Sequence, residues 1–81
     1  MNIKILGVGC ARCAKLESNV REVVSENNIS CDIEKVTDIQ EMMKYGIMAT
    51  PGLVINEKLY SSGILPDKNQ IINWINENLN S

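Results

Sequence analysis

The chain has 81 residues, 44% of them hydrophobic and 22% charged, and a formal net charge of −2 at pH 7. That length suits one small domain, residues 1–81, with a single modest core. Acidic and basic residues are interspersed, which excludes a basic surface for nucleic acid or lipid headgroups, and no apolar run approaches a membrane span. Met1-Asn2-Ile3-Lys4 enters a strand pattern at once instead of a signal-peptide layout, so a cytoplasmic protein is expected. There are three cysteines and no histidine. In a reducing compartment a closely spaced cysteine pair is catalytic or metal-binding before it is a structural staple.

Residues 2–7 read as a short buried strand. From about Ala11 to Asn27, Cys13, Leu16, Val20, Val23 and Val24 recur at helical spacing, with Lys15, Glu17, Asn19, Arg21 and Glu22 as the wet face. Asn27-Asn28 is the stop. Ile29, Cys31 and Ile33 alternate with Ser30, Asp32 and Glu34, which predicts a second strand over roughly 30–36. A helix joins these two strands, so they should run parallel. Thr37-Asp38-Ile39-Gln40 fits a capping box opening a short helix over about 38–45, with Ile39, Met42 and Met43 buried and Gly46 as its end. Leu53-Val54-Ile55 is a strand, Asn56-Glu57 a tight turn, and Lys58 to Ser61 pairs back as an antiparallel edge. Ser62-Gly63 breaks that edge. Asp67 caps a last helix, with Gln70 in the matching box position and Ile71, Ile72, Ile75 and Leu79 as the buried stripe. The order β-α-β-α-β-β-α is most simply buried as an α/β fold, a four-stranded mixed sheet with helices on both faces.

The chemistry is concentrated in Gly7-Val8-Gly9-Cys10-Ala11-Arg12-Cys13, at the junction of the first strand and the first helix. With the helix starting at Cys10, Cys13 falls one turn later on the same face, and the two sulfurs come within bonding reach. A helix N-terminus aims unpaired N–H groups and the positive end of its dipole at Cys10, which favours the thiolate. Such a pair either exchanges electrons with a disulfide or holds a soft metal. Gly7 and Gly9 loosen the backbone where a partner protein would need close approach.

The order of elements, the Cys-x-x-Cys at the first helix start and Ala49-Thr50-Pro51-Gly52-Leu53-Val54-Ile55-Asn56 before and through the third strand together resemble the thioredoxin fold in its minimal, glutaredoxin-like form. The resemblance is nearest to the small archaeal and bacterial thioredoxin-like redox-active disulfide proteins, and it covers essentially the whole chain. It implies a thiol–disulfide oxidoreductase without a cofactor, in which Cys10 attacks, Cys13 resolves, and Pro51 follows a cis peptide bond beside the cysteines. It further implies that the backbone of Thr50 pairs with an extended substrate segment, a short strand addition next to the reacting sulfur. Thr50, Pro51, Gly9, Ala11 and Arg12 are then the substrate-contacting residues. The implied partners are disulfide-containing proteins and an upstream reductase resembling thioredoxin reductase. Gly9 stands where thioredoxins proper carry Trp, Ala11-Arg12 replaces Gly-Pro, and no acid occupies the strand before the motif; Lys4 is the charged residue there.

The competing reading is a soft-metal carrier. Gly7-Val8-Gly9-Cys10-Ala11-Arg12-Cys13 is similar to the Gly-Met-Thr-Cys-x-x-Cys loop of copper chaperones, and two thiolates suit Cu(I) or zinc. Cys31 reads as a buried, inert thiol. Arg12 either lowers the pKa of Cys10 by opposite charge or is simply an exposed loop residue. Met48, just before Ala49-Thr50-Pro51, is expected on a soft rim beside the site. Tyr60 and Trp74 read as packing residues.

Overall fold

The computed structural model describes residues 1–9 and 11–79. Seven elements follow in the expected order: β1 (Asn2–Leu6), α1 (Ala11–Glu26), β2 (Asp32–Val36), α2 (Ile39–Met43), β3 (Gly52–Ile55), β4 (Lys58–Ser62) and α3 (Lys68–Leu79). The sheet order is β2-β1-β3-β4. β1 runs parallel to β2, with Ile3 opposite Ile33, and antiparallel to β3, with Ile5 opposite Leu53. β4 pairs antiparallel to β3 across a register shift between Leu53 and Val54.

Side chains alternate across the sheet, so each face has its own core. Ile3, Ile5, Leu53 and Ile55 meet Leu16, Val20 and Val23 of α1 and Ile71 and Ile75 of α3. On the opposite face Leu6 and Val54 meet Met42 of α2. The wet face of α1 is tied by surface pairs, Glu17 to Arg21 and Lys35, and Glu22 to Lys68 of α3. Asn56 and Glu57 take φ values of 50° and 69°, the left-handed pair of a two-residue hairpin turn. At α3, Asp67 Oδ1 accepts from the Gln70 N–H at 2.9 Å and Gln70 Oε1 from the Asp67 N–H at 3.3 Å, a complete capping box.

Five expectations need correction. Asn19, expected on the wet face of α1, is buried, because it neighbours Leu16 and Val23 on the helix and shares their inward side. The cap of α2 is Asp38, not Thr37: its carboxylate accepts from the Gln40 N–H at 2.8 Å, and an ionised acceptor outcompetes a hydroxyl one position earlier. Within α2 only Met42 is buried, while Ile39 and Met43 are each 67% exposed. A helix of five residues can aim one position at the sheet, and Ile39 and Met43, four apart, share a different side. Cys31 precedes β2 and is half-buried, because β2 is an edge strand whose pairing starts at Asp32. Leu79 is about half exposed at the end of α3, where β3 no longer covers the helix.

Lys4 sits on the α2 face of the sheet. Its Nζ donates to Tyr45 Oη at 2.6 Å and to Glu57 Oε1 at 3.1 Å, and Tyr45 Oη donates to Glu57 Oε2 at 2.8 Å. The triangle closes a charged group between α2 and the hairpin turn, away from the cysteines. Among the described residues, no helix is long and apolar enough to cross a membrane.

Candidate active site

The site forms where β1 ends and α1 begins. Gly7 is buried and continues the sheet by one bond, its N–H donating to Val36 O at 3.0 Å. A Cβ at Gly7 would collide with Cys13 Sγ and lie 3.7 Å from the Thr50 side chain. Gly7 is therefore the slot that lets the thiol of Cys13 lie against the strand end with Thr50 beside it. Cys13 is 8% exposed, in the first turn of α1. Cys10, which the resemblance implies to be the attacking thiol, lies outside the described residues.

Gly9, Ala11 and Arg12 are exposed around Cys13. At Gly9 φ is +56° and the space a Cβ would occupy is open, so this glycine serves backbone conformation, unlike Gly7, which serves close packing. A cleft of about 360 Å³ reaches Cys13 from the β2 side, with Gly7, Gly9, Ala11, Lys35 and Thr37 in its wall. Among the described residues no carboxylate lines it.

The second half of the site is the segment leading into β3. The Thr50–Pro51 peptide is cis; Thr50 is exposed and Pro51 buried. This segment is gripped by the two residues that close β4. Ser62 Oγ accepts from the Met48 N–H at 3.1 Å and from the Ala49 N–H at 3.2 Å, and donates to Ala49 O at 3.0 Å. The Gly63 N–H donates to Pro51 O at 2.9 Å. Gly63 has φ of +77°, and a Cβ there would press to 2.9 Å of the Ala49 Cβ. From the other side Arg12 Nη2 donates to Gly63 O at 2.8 Å. The Gly63 peptide thus links the cysteine helix to Pro51, and Arg12 is an exposed residue with a definite tether.

Sequence reasoning brought Cys13, Thr50, Pro51, Gly9, Ala11 and Arg12 to one end of the sheet, and the structure gathers them there. It missed Ser62 and Gly63. The only signal was a small polar residue and a glycine closing β4, read as nothing more than a strand break. Met48 is 92% exposed on the rim, as expected, and joins Ile39, Met43, Ile47 and Ala49 in a shallow apolar groove of about 190 Å³ that ends at Thr50. Burial pushes the pKa of the Cys31 thiol up.

The thioredoxin domain family matches residues 1–76. A thioredoxin from Methanothermobacter thermautotrophicus is 38% identical over 71 residues, covering 88% of this chain and 92% of that relative. A thioredoxin from Methanocaldococcus jannaschii is 33% identical over 69 residues, covering 85% and 79%. A buried cysteine at the start of a helix, packed on a glycine strand end beside a cis peptide, together with these relatives, defines a thiol–disulfide oxidoreductase. The chain belongs to the thioredoxin family, and its four-stranded mixed sheet with three helices is the minimal form of that fold. The comparisons do not favour the soft-metal alternative.

Proposed function

We propose that Cys10 and Cys13 carry a two-step reduction of protein disulfides. The Cys10 thiolate attacks one sulfur of the substrate disulfide. The substrate S–S bond breaks, one substrate sulfur leaves as thiolate and takes a proton from water, and a mixed disulfide with Cys10 forms. Cys13 then gives its proton to solvent through the cleft and attacks the Cys10 sulfur. The mixed disulfide breaks, the second substrate thiol is released, and Cys10–Cys13 is left oxidised. Two electrons pass to the substrate, and an upstream dithiol reductase returns them. Before this exchange the substrate chain pairs with the backbone at Thr50, while Gly9, Ala11, Arg12 and Pro51 line its path. The observation that supports this reading is the contact of Cys13 Sγ with the Gly7 slot beside Thr50, a thiol held next to the segment assigned to the substrate.

The partners are accordingly disulfide-containing proteins and a thioredoxin-reductase-like enzyme, in a cytoplasmic electron-transfer chain, with residues 1–81 acting as one domain. The test uses insulin and dithiothreitol. Cys10→Ser should abolish catalysed reduction, and Cys13→Ser should accumulate a mixed disulfide visible by intact mass. Full activity in Cys10→Ser would refute the assignment.

A further inference from the structure

Ser62 lies outside the cysteine motif and outside the segment that meets substrate, yet its hydroxyl spends its whole hydrogen-bonding capacity on that segment. A serine hydroxyl has one donor and two acceptor sites, and all three are used, on Met48 N–H, Ala49 N–H and Ala49 O. Its neighbour Ser61 is buried, and its Oγ has no partner among the described residues, so serine at the end of β4 does not by itself produce such a clasp. The gripped residues are exposed and belong to no helix or strand. Their conformation is set from across the β3–β4 ladder, by Ser62 and by the Gly63 N–H on Pro51 O.

We propose that Ser62 is a positioning residue for disulfide exchange, acting through Met48 and Ala49 to hold Thr50 ready for the substrate backbone. This rests on the reading that Thr50 and Pro51 meet the substrate. The physical reason is preorganisation: a segment already ordered in the free protein loses less conformational entropy on binding. Freeing the backbone of one residue corresponds to roughly five- to thirtyfold in an equilibrium constant. Loss of the hydroxyl therefore acts on substrate capture and spares the sulfur chemistry, which Cys10 and Cys13 perform.

The test is steady-state reduction of insulin by the full chain with dithiothreitol as electron donor, comparing wild type, Ser62→Ala, Ser62→Thr and Ser61→Ala, with a thermal melt of each. Ser62→Ala should raise KM about fivefold or more with kcat within twofold. Ser62→Thr, which keeps the hydroxyl, should restore KM, and Ser61→Ala should leave it at the wild-type value. An unchanged KM in Ser62→Ala would overturn the proposal. So would a parallel fall of kcat and melting temperature that Ser62→Thr fails to rescue, since that marks a purely structural role. A wild-type chain inert toward insulin would refute the disulfide-reductase reading itself, and the proposal with it.

Discussion

The thiol of Cys13 occupies the space that a side chain on Gly7 would fill. Strand end and helix start are thereby locked in one arrangement, and the site depends on a missing methyl group. Gly7→Ala must displace either the sulfur or the strand. We expect a destabilisation of about 1–3 kcal/mol, the usual cost of an added methyl in a packed site, together with a longer-lived mixed disulfide because Cys13 no longer points correctly. Urea denaturation of the reduced protein and a trapping time course by mass would measure the two effects. A variant as stable and as quick to resolve as wild type would show that the contact is soft.

The Lys4–Tyr45–Glu57 triangle makes stability depend on pH. The hydrogen bonds from Tyr45 and Lys4 hold the Glu57 carboxyl below its ordinary value of 4.5. A depressed carboxylate stabilises the fold above its unfolded pKa, and that contribution is lost as pH falls through the folded one. Lys4 is shifted up by the same two partners from 10.5, so its contribution is full below 10.5 and disappears only as pH rises past that value. Melting temperatures of wild type and Glu57→Gln should therefore differ by a constant amount from about pH 5 to 10, and the difference should shrink below about pH 4.5. The comparison with Glu57→Gln separates this group from Glu17 and Glu22, whose pKa values are also lowered by their cationic partners. A difference that ignores acid would mean the triangle is not formed in solution.

Cys31 should be a slow, dispensable thiol. Burial raises its pKa above the ordinary 9.0, so the reactive thiolate is scarce at neutral pH. Limited alkylation of the reduced protein with iodoacetamide at pH 7, read by peptide mass, should label Cys10 well before Cys31. Cys31→Ala should reduce insulin within about twofold of wild type, as expected of a substitution outside the chemistry. Fast labelling of Cys31 would assign it a redox role.

Met48 is almost fully exposed, so its side chain contributes little to the fold. Met48→Ser should shift stability by less than about 0.5 kcal/mol. Met48 stands next to the segment proposed to meet the substrate, where an exposed apolar side chain adds binding surface, so KM for insulin should rise in the same variant. An unaltered KM would remove Met48 from the substrate path.

Local signals were the readable ones. Asp67 and Gln70 are three residues apart and form their capping box as expected, and Asn56-Glu57 turns the hairpin as expected, because each motif is decided within a few residues. The burial of Cys13 followed from helical spacing. What could not be read is what distant segments do for one another. Lys4 meets Tyr45 and Glu57 across 41 and 53 positions, and the Ser62 hydroxyl reaches residues 13 and 14 positions back. The α2 error has a different origin: apolar residues in a helix too short to bury them look the same in sequence as core residues. Cys31 was misjudged because alternation does not say whether a strand will be central or at the edge.

The sheet carries its two cores unequally. Among the described residues, the face covered by α1 and α3 buries nine core residues, whereas the α2 face buries three. Amide hydrogens of α1, β1 and β3 should then exchange with deuterium only when the whole molecule unfolds, while those of α2 are released by opening of that short helix alone. In the apolar groove beside Thr50, the wall supplied by Ile39 and Met43 of α2 is then expected to open first, while the Met48–Ala49 wall stays clasped by Ser62. That α2 wall can change shape, or drift in evolution, without loosening the cysteine helix on the other side.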